Sequence, residues 1–215
     1  MKTLIKAIAI ASLASTAAVA QAEVTGSLGI SSSYMFRGEE LNDGMTTSAS
    51  LGFDLAGVSV GVFLTDADDA GLTETDIVLG YNANVMGTDV RLSYTDYGYD
   101  YGNGNDDNGQ TEFAVGITAS GLAIDFVSGE DDGMLNPGET DYDVLTLGYT
   151  VSNVDITLGA VDIDDGAEFN YYEISTGTEL FGLDASVMVT DTFSEDGISE
   201  SGATLVIGVS KSLNL

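Results

Sequence analysis

The chain has 215 residues, 44% of them hydrophobic, and carries 35 acidic against five basic side chains, a formal charge of −30. So acidic a chain repels nucleic acid and gathers cations, while its apolar content is too high for a disordered polyanion. Cysteine and histidine are both absent, which excludes disulfides, Cys-His and Ser-His-Asp catalysis, imidazole acid–base chemistry and histidine metal sites. No enzyme or cofactor is expected; an enzyme, the third and weakest reading of the chain, would have to work through a carboxylate pair such as Asp155 and Asp184.

Residues 1–22 hold Lys2, Lys6, the apolar run AIAIASLASTAAVA and the ending Ala20-Gln21-Ala22. This reads as a cleavable signal peptide, cut before Glu23, since its apolar run is shorter than the roughly 20 residues of a spanning helix. One exported domain, 23–215, follows, with Arg37, Arg91 and Lys211 as its only basic residues.

From Val24 onward apolar residues alternate with small or polar ones. The first segment sets Val24, Leu28, Ile30, Tyr34 and Phe36 on one face, and Ser27, Gly29, Ser31, Ser33 and Arg37 on the other. Similar segments begin at Leu51, Val58, Ile77, Val90, Phe113, Leu122, Leu145, Val154, Tyr172, Leu183 and Leu205, giving twelve period-two strands. Their connections alternate in kind. Long acidic loops such as RGEELNDG, DYGYDYGNGNDDNG and GEDDGMLNPGETD follow odd strands, and short connections, around Ala56-Gly57, NANVMG, Ser120-Gly121, Ser152-Asn153 and Phe181-Gly182, follow even ones.

A soluble sandwich needs no systematic difference between its two ends. A transmembrane antiparallel up-and-down β-barrel has one: short periplasmic turns and long external loops, with interfacial aromatic residues. The pattern therefore predicts an all-β outer-membrane barrel of about twelve strands. Its outer girdle is expected to hold Tyr34, Phe36, Tyr94, Phe113, Phe126 and Phe193, and its periplasmic girdle Phe53, Tyr81, Tyr149 and Phe181. On this reading Tyr34 and Phe36 face lipid, Ser33 and Arg37 face the lumen, and GEELNDG is the first external loop.

The chain also resembles the TorF family of porins, small outer-membrane proteins of proteobacteria. The matching residues are Val24-Thr25-Gly26, the run Ser32-Ser33-Tyr34-Met35-Phe36-Arg37-Gly38, and GVSVGVFLTD from Gly57 to Asp66. The resemblance implies a barrel that conducts, with Tyr34, Phe36, Arg37 and Gly38 as its motif, and Arg37 and Gly38 as the residues to carry over as a site. Members commonly have an acidic residue where this chain has Ser33, and an aromatic terminus for the barrel assembly machinery where this chain has Leu215.

By strand phase, Asp54, Asp89, Asp125, Asp155, Glu179 and Asp184 point inward near the short-turn end, Asp125 slightly deeper than the rest, with Arg91 among them and Arg37 at the far end of the lumen. Two readings stand side by side. A carboxylate ring around a narrow mouth concentrates cations, or the acids are merely hydrated strand ends with Arg91 paired to Asp89, Asp125 or another neighbour. The expected function is passive diffusion of small polar solutes with a cation preference. The alternative is a non-conducting structural or adhesive barrel whose acidic loops engage divalent cations, lipopolysaccharide or a surface partner. The loop clusters DADD, NDDNG, EDDG and DIDDG lack the ligand order of a calcium hand, so weak, diffuse divalent binding is expected there. Small inward residues leave room for water unless a loop folds in, for which the third loop, with Tyr97, Tyr99 and Tyr101, is the candidate.

Overall fold

The computed structural model describes residues 23–67, 72–100, 109–132, 140–164, 168–194, 197–198 and 202–214. Residues 1–22, Tyr101, Leu215 and, of the loop acid clusters, Asp68, Asp69, Asp106, Asp107 and Asp165 lie outside the described residues. Among those described, no helix is long and apolar enough to cross a membrane; strands do the crossing.

The elements are β1 (Glu23–Ser31), β2 (Tyr34–Phe36), β3 (Glu39–Asn42), β4 (Thr46–Leu55), β5 (Val58–Asp66), β6 (Thr73–Val85), β7 (Thr88–Asp100), β8 (Gly109–Ala119), β9 (Leu122–Asp131), β10 (Thr140–Val151), β11 (Val154–Ile163), β12 (Phe169–Leu180), β13 (Leu183–Ser194), β14 (Gly197–Ile198) and β15 (Thr204–Asn214). Leaving out the short pieces β2, β3 and β14, twelve strands pair antiparallel in a ring. It runs from β1 through β4 to β13 and closes through β15 back to β1. Closure is required in lipid, where an open strand edge finds no water to bond.

Alternation places the apolar phase outside. Leu51, Val60, Leu79, Ile117, Ile124, Leu147 and Ile207 stand exposed on the outer wall, an arrangement untenable in water and natural against hydrocarbon. The belt is edged by Phe53, Tyr81 and Tyr149 toward the short turns and by Tyr94, Phe113 and Phe126 toward the long loops. Beyond the second edge the strands continue, but their outward residues become Asp66, Asp96, Glu130, Asp141, Asp143 and Asp162, all exposed. The barrel thus extends past the membrane as a polar collar before its loops begin.

The short turns follow from their sequences. Ala56-Gly57, Met86-Gly87, Ser120-Gly121 and Phe181-Gly182 have positive φ at both residues, the backbone that matches the twist of paired strands and favours glycine at the second place. The same signature occurs once more, at Arg37-Gly38, with φ of 51° and 83°. That pair turns the hairpin β2–β3, and the hairpin is not an external loop.

This corrects the expectation for Tyr34 and Phe36. β1 ends at Ser31, still paired to Thr46 and Gly208, and the chain bends at Ser32-Ser33. The Ser32 amide donates to the Ile207 carbonyl at 2.9 Å, and the Ser32 hydroxyl accepts from the Ile207 amide at 3.0 Å. Past this bend the chain enters the barrel. Tyr34 is 7% exposed and packs, with Phe36, against Tyr97, Tyr99 and Leu72. Neither residue touches lipid, and the first connection is a segment that folds inward; of the third-loop candidates, Tyr97 and Tyr99 lie on β7 and Tyr101 lies outside the described residues.

The wall predicts its own test. Ile124→Arg places a cation against lipid at a cost of about 2–4 kcal/mol, whereas Ala123→Arg, one residue away on the inner face, has water to reach. Folded barrel, read by heat-modifiable gel mobility, should fall sharply in the first and persist in the second.

Candidate functional site: a plugged lumen

The hairpin leaves the barrel wall between β1 and β4 and crosses to the far side, where its tip reaches β8 and β10. Arg37 donates from Nη2 to Oε1 of Glu112 at 2.5 Å. Two phenols complete the carboxylate: Tyr97 donates to Oε2 at 2.9 Å and Tyr142 to Oε1 at 2.7 Å. The Arg37 guanidinium also lies over the Phe36 ring, 4.6 Å from its centroid, and 5.5 Å from that of Tyr142. A charge-assisted bond inside a desolvated cluster is held far more firmly than one at a surface.

Gly38, the motif's second carried-over residue, has a clear reason to be glycine. Its φ is 83°, and a Cβ there would meet Thr192 Cγ2 at 3.0 Å, the Asp191 carbonyl at 3.1 Å and, still closer, Tyr171 Cβ. The tip therefore sits flush against β12 and β13. Nearer the hairpin's base, Tyr34 donates to Oε1 of Glu74 at 2.7 Å. Together with Tyr171, Val144, Val161 and Val127, these side chains fill the collar half of the lumen.

The half toward the short turns is different. Its wall carries Ser27 and Ser50, whose hydroxyls meet at 2.7 Å, and glycines such as Gly52, Gly61 and Gly148. Arg91 pairs with Asp125. Gly116 lies between the two strands in register with both, and its missing side chain makes room: a Cβ would collide with the Asp125 carboxylate and approach Arg91 Nε to 3.4 Å.

Of the acidic set read from the sequence, the structure keeps five at the short-turn mouth and places Asp125 higher, on Arg91. Asp89 accepts from Asn84 Nδ2 at 2.7 Å, Asp155 from Thr150 Oγ1 at 2.6 Å and Asp184 from Ser212 Oγ at 3.1 Å. Glu179 stands directly across from Asp184, and Asp54 across from Glu23. Lys211, at the same end, donates to the Gly182 carbonyl. Among the described residues no group of three or more acids forms a metal cage.

Glu74, Asp76 and Glu112 are not among the residues that the sequence singles out, because they lie in or beside the long acidic connections. Their phase was the available signal, because each alternates with Thr75, Ile77, Thr111 or Phe113 on the outer face.

No family model and no curated protein matches the chain. Among solved structures the barrel is similar to the KdgM porin, with 9% identity and a TM-score of 0.55 over 89% of this chain and 99% of that one. It is also similar to an outer membrane channel from Pseudomonas putida F1, with 12% identity and a TM-score of 0.50 over 92% of this chain and 97% of that one. The fold is that of an outer-membrane porin-type barrel. At such identity the likeness is one of architecture.

Arg37→Ala leaves Glu112 desolvated with neutral donors alone, a loss of about 3–5 kcal/mol for a broken buried pair. Backbone amides of residues 34–42 should then exchange about a hundredfold faster or more, while the barrel strands keep their protection. Hydrogen exchange with mass spectrometry checks both.

Proposed function

We propose that this chain is an outer-membrane channel of the TorF porin type, passing small polar solutes and favouring cations, with its extracellular half closed at rest by the β2–β3 hairpin. One observation carries the reading. The hairpin is joined to the wall opposite its root by side-chain contacts, with Arg37 on Glu112 at its tip, while the half below is lined by small polar residues. A filler needed only for stability is more simply made from the wall's own side chains, as barrels of about eight strands do. A separate hairpin is an element that can move as a unit. The motif Tyr34, Phe36, Arg37 and Gly38 is, on this reading, the plug itself.

Insertion would follow export by the signal peptide and delivery to the barrel assembly machinery, with lipid and lipopolysaccharide as the lasting partners. Weak divalent binding remains a proposal for the loop acids. Cation preference rests on Asp54, Asp89, Asp155, Glu179 and Asp184 around one mouth, where screening acts over about 8 Å at physiological ionic strength.

Because Ser31 and Thr46 are paired neighbours, a short Gly-Ser turn can replace the residues between them. That variant should show a larger unitary conductance in planar bilayers than the parent. A folded, inserted and silent plugless barrel would instead favour the non-conducting structural reading, which the filled collar also fits.

Selectivity has its own test. In a KCl gradient the plugless barrel should prefer cations, and Asp54→Asn, Asp155→Asn and Asp184→Asn together should move its reversal potential toward zero, with the difference fading as salt rises.

A further inference from the structure

Beneath the hairpin lie two carboxylates that the latch on Glu112 does not use. Glu74 and Asp76 occupy successive inward positions of β6 and are 1% and 0% exposed. They belong to the collar, beyond the apolar belt that crosses the membrane: Ile77 is the last apolar outward residue of β6. Burying one ionised carboxylate without a counter-charge is costly, and burying two side by side is more so. No base is present to relieve them. Of the three basic residues in 23–215, Arg37 is on Glu112, Arg91 is on Asp125 and Lys211 is at the opposite end of the barrel.

Their hydrogen bonding is incomplete in an informative way. Tyr34 supplies one donor, to Glu74 Oε1. Glu74 Oε2 and both oxygens of Asp76 have none. The two acids stand on one face of β6, two residues apart, so each charge bears on the other. Two ionised carboxylates have no hydrogen to share; one proton on either group lets it donate to its neighbour and removes the repulsion.

The groups around them bring no base. β2 contributes the Tyr34 phenol. β7 contributes Tyr97 and Tyr99, in register with Asp76 and Glu74, and the Tyr99 phenol also favours the Glu74 charge without outweighing its burial. β8 contributes Glu112, whose charge adds to the repulsion on Asp76, and β5 contributes Phe63 and Thr65, which do not titrate.

We propose that Glu74 and Asp76 form a proton-operated catch for the β2–β3 hairpin, which holds the plug closed while the pair is protonated and releases it when the pair loses its proton. The proposal rests on the channel reading only for its consequence, conduction; the movement of the hairpin is independent of it.

The sign follows from burial. Burial first, then the neighbouring Glu74 charge, pushes the Asp76 carboxyl up to about 9, and burial pushes Glu74 up as well. With the hairpin swung out, both groups would meet water and return to the ordinary carboxylate range. The closed form therefore binds the proton more tightly. Its advantage is complete below that ordinary range and falls as pH rises toward about 9, by at most about tenfold per pH unit for each group, then levels off.

The chain has no cysteine, so a single introduced thiol is a clean probe. Ser33→Cys, at the buried root of the hairpin, is compared with Met45→Cys, which is 74% exposed. A membrane-impermeant methanethiosulfonate reagent is applied from about pH 5 to pH 10, and the ratio of the two rates cancels the ionisation of the thiols. The ratio should rise about tenfold or more across the range. With Glu74→Gln and Asp76→Asn it should stay flat to within about twofold; if that double variant fails to fold, Asp76→Asn alone should at least halve the logarithmic slope. Glu112→Gln, which weakens the Arg37 latch, should raise the ratio at every pH and keep the slope. A flat ratio in the parent background, a slope that survives Glu74→Gln with Asp76→Asn, or a slope abolished by Glu112→Gln would overturn the catch. Bilayer conductance of the same proteins separates the two ideas. A rising labelling ratio without conductance leaves the catch standing and removes the channel.

Discussion

A backbone amide in hydrocarbon has no water to bond, and the rest of the molecule is arranged around that constraint. It requires the ring to close through β12 with β13 and through β15 with β1, and closure creates an interior. Twelve strands enclose more space than an eight-stranded barrel, whose side chains just fill it. The interior must then be wet, or be filled by something other than the wall. Here the two solutions divide the lumen. Small residues such as Ser27, Ser50, Gly61 and Gly148 leave one half open-walled, while the hairpin and a layer of tyrosines fill the other.

That filled half inverts the logic of a soluble domain. Its core is two clusters, Tyr142 and Tyr171 with Val144 and Val161, and Tyr34, Tyr97 and Tyr99 with Leu72; the phenols of Tyr34, Tyr97 and Tyr142 turn onto carboxylates and that of Tyr171 onto Thr146, while the outer wall carries the aliphatic residues. Tyrosine suits the task because its ring supplies packing area and its hydroxyl needs a partner when buried. Glu112 and Glu74 provide the partners. The plug is thus specified by directional bonds at a few points, Arg37 and Tyr34 among them, and by the flush contact that Gly38 allows. Such contacts fix one docked position without making the hairpin part of the sheet.

The wall was legible because its signal repeats. Any one period-two run is weak evidence, but twelve of them, separated alternately by short turns, most of them X-Gly, and acidic loops, specify strand number, inside and outside, and which end holds the short turns. Asp125 was legible as one of several partners for Arg91; only register, with Gly116 vacating the space between, selects it. Tyr34 and Phe36 were misplaced for a physical reason. Alternation reports which residues share a face, and an inward hairpin continues the alternation of β1 while changing what that face meets. The bend at Ser32-Ser33 has no proline or glycine to announce it. Arg37-Gly38, however, is the same kind of turn as Ala56-Gly57 or Ser120-Gly121, and it stands where an external loop was expected. A short-turn sequence at a long-loop end marks a strand pair folded back within the barrel. Glu74, Asp76 and Glu112 were hidden by composition, because they sit among loop acids and only their phase sets them apart.

Charge connects these features. With Arg37, Arg91 and Lys211 as the only bases of residues 23–215 against 35 acids, nearly every carboxylate must be solved by water, by neutral donors or by a proton. On the collar's outer face Asp96, Glu130 and Asp143 have water. At the short-turn mouth Asp89, Asp155 and Asp184 have Asn84, Thr150 and Ser212 as neutral donors. Glu112 receives a base, and it is the point where the hairpin tip must be held. Glu74 and Asp76 are buried without a base, and the phenols that serve the pair, Tyr34 and Tyr99, act on Glu74. Scarcity of bases thus gives the position of each one meaning. Arg91 is spent midway along the lumen, where Asp125 is half-buried, and Arg37 at the far side of the plug. Left over beneath the hairpin is a pair whose charge can be removed only by protonation. Whatever moves the hairpin must act through the few groups that hold it, and these are the ones whose charge state is tied to its position.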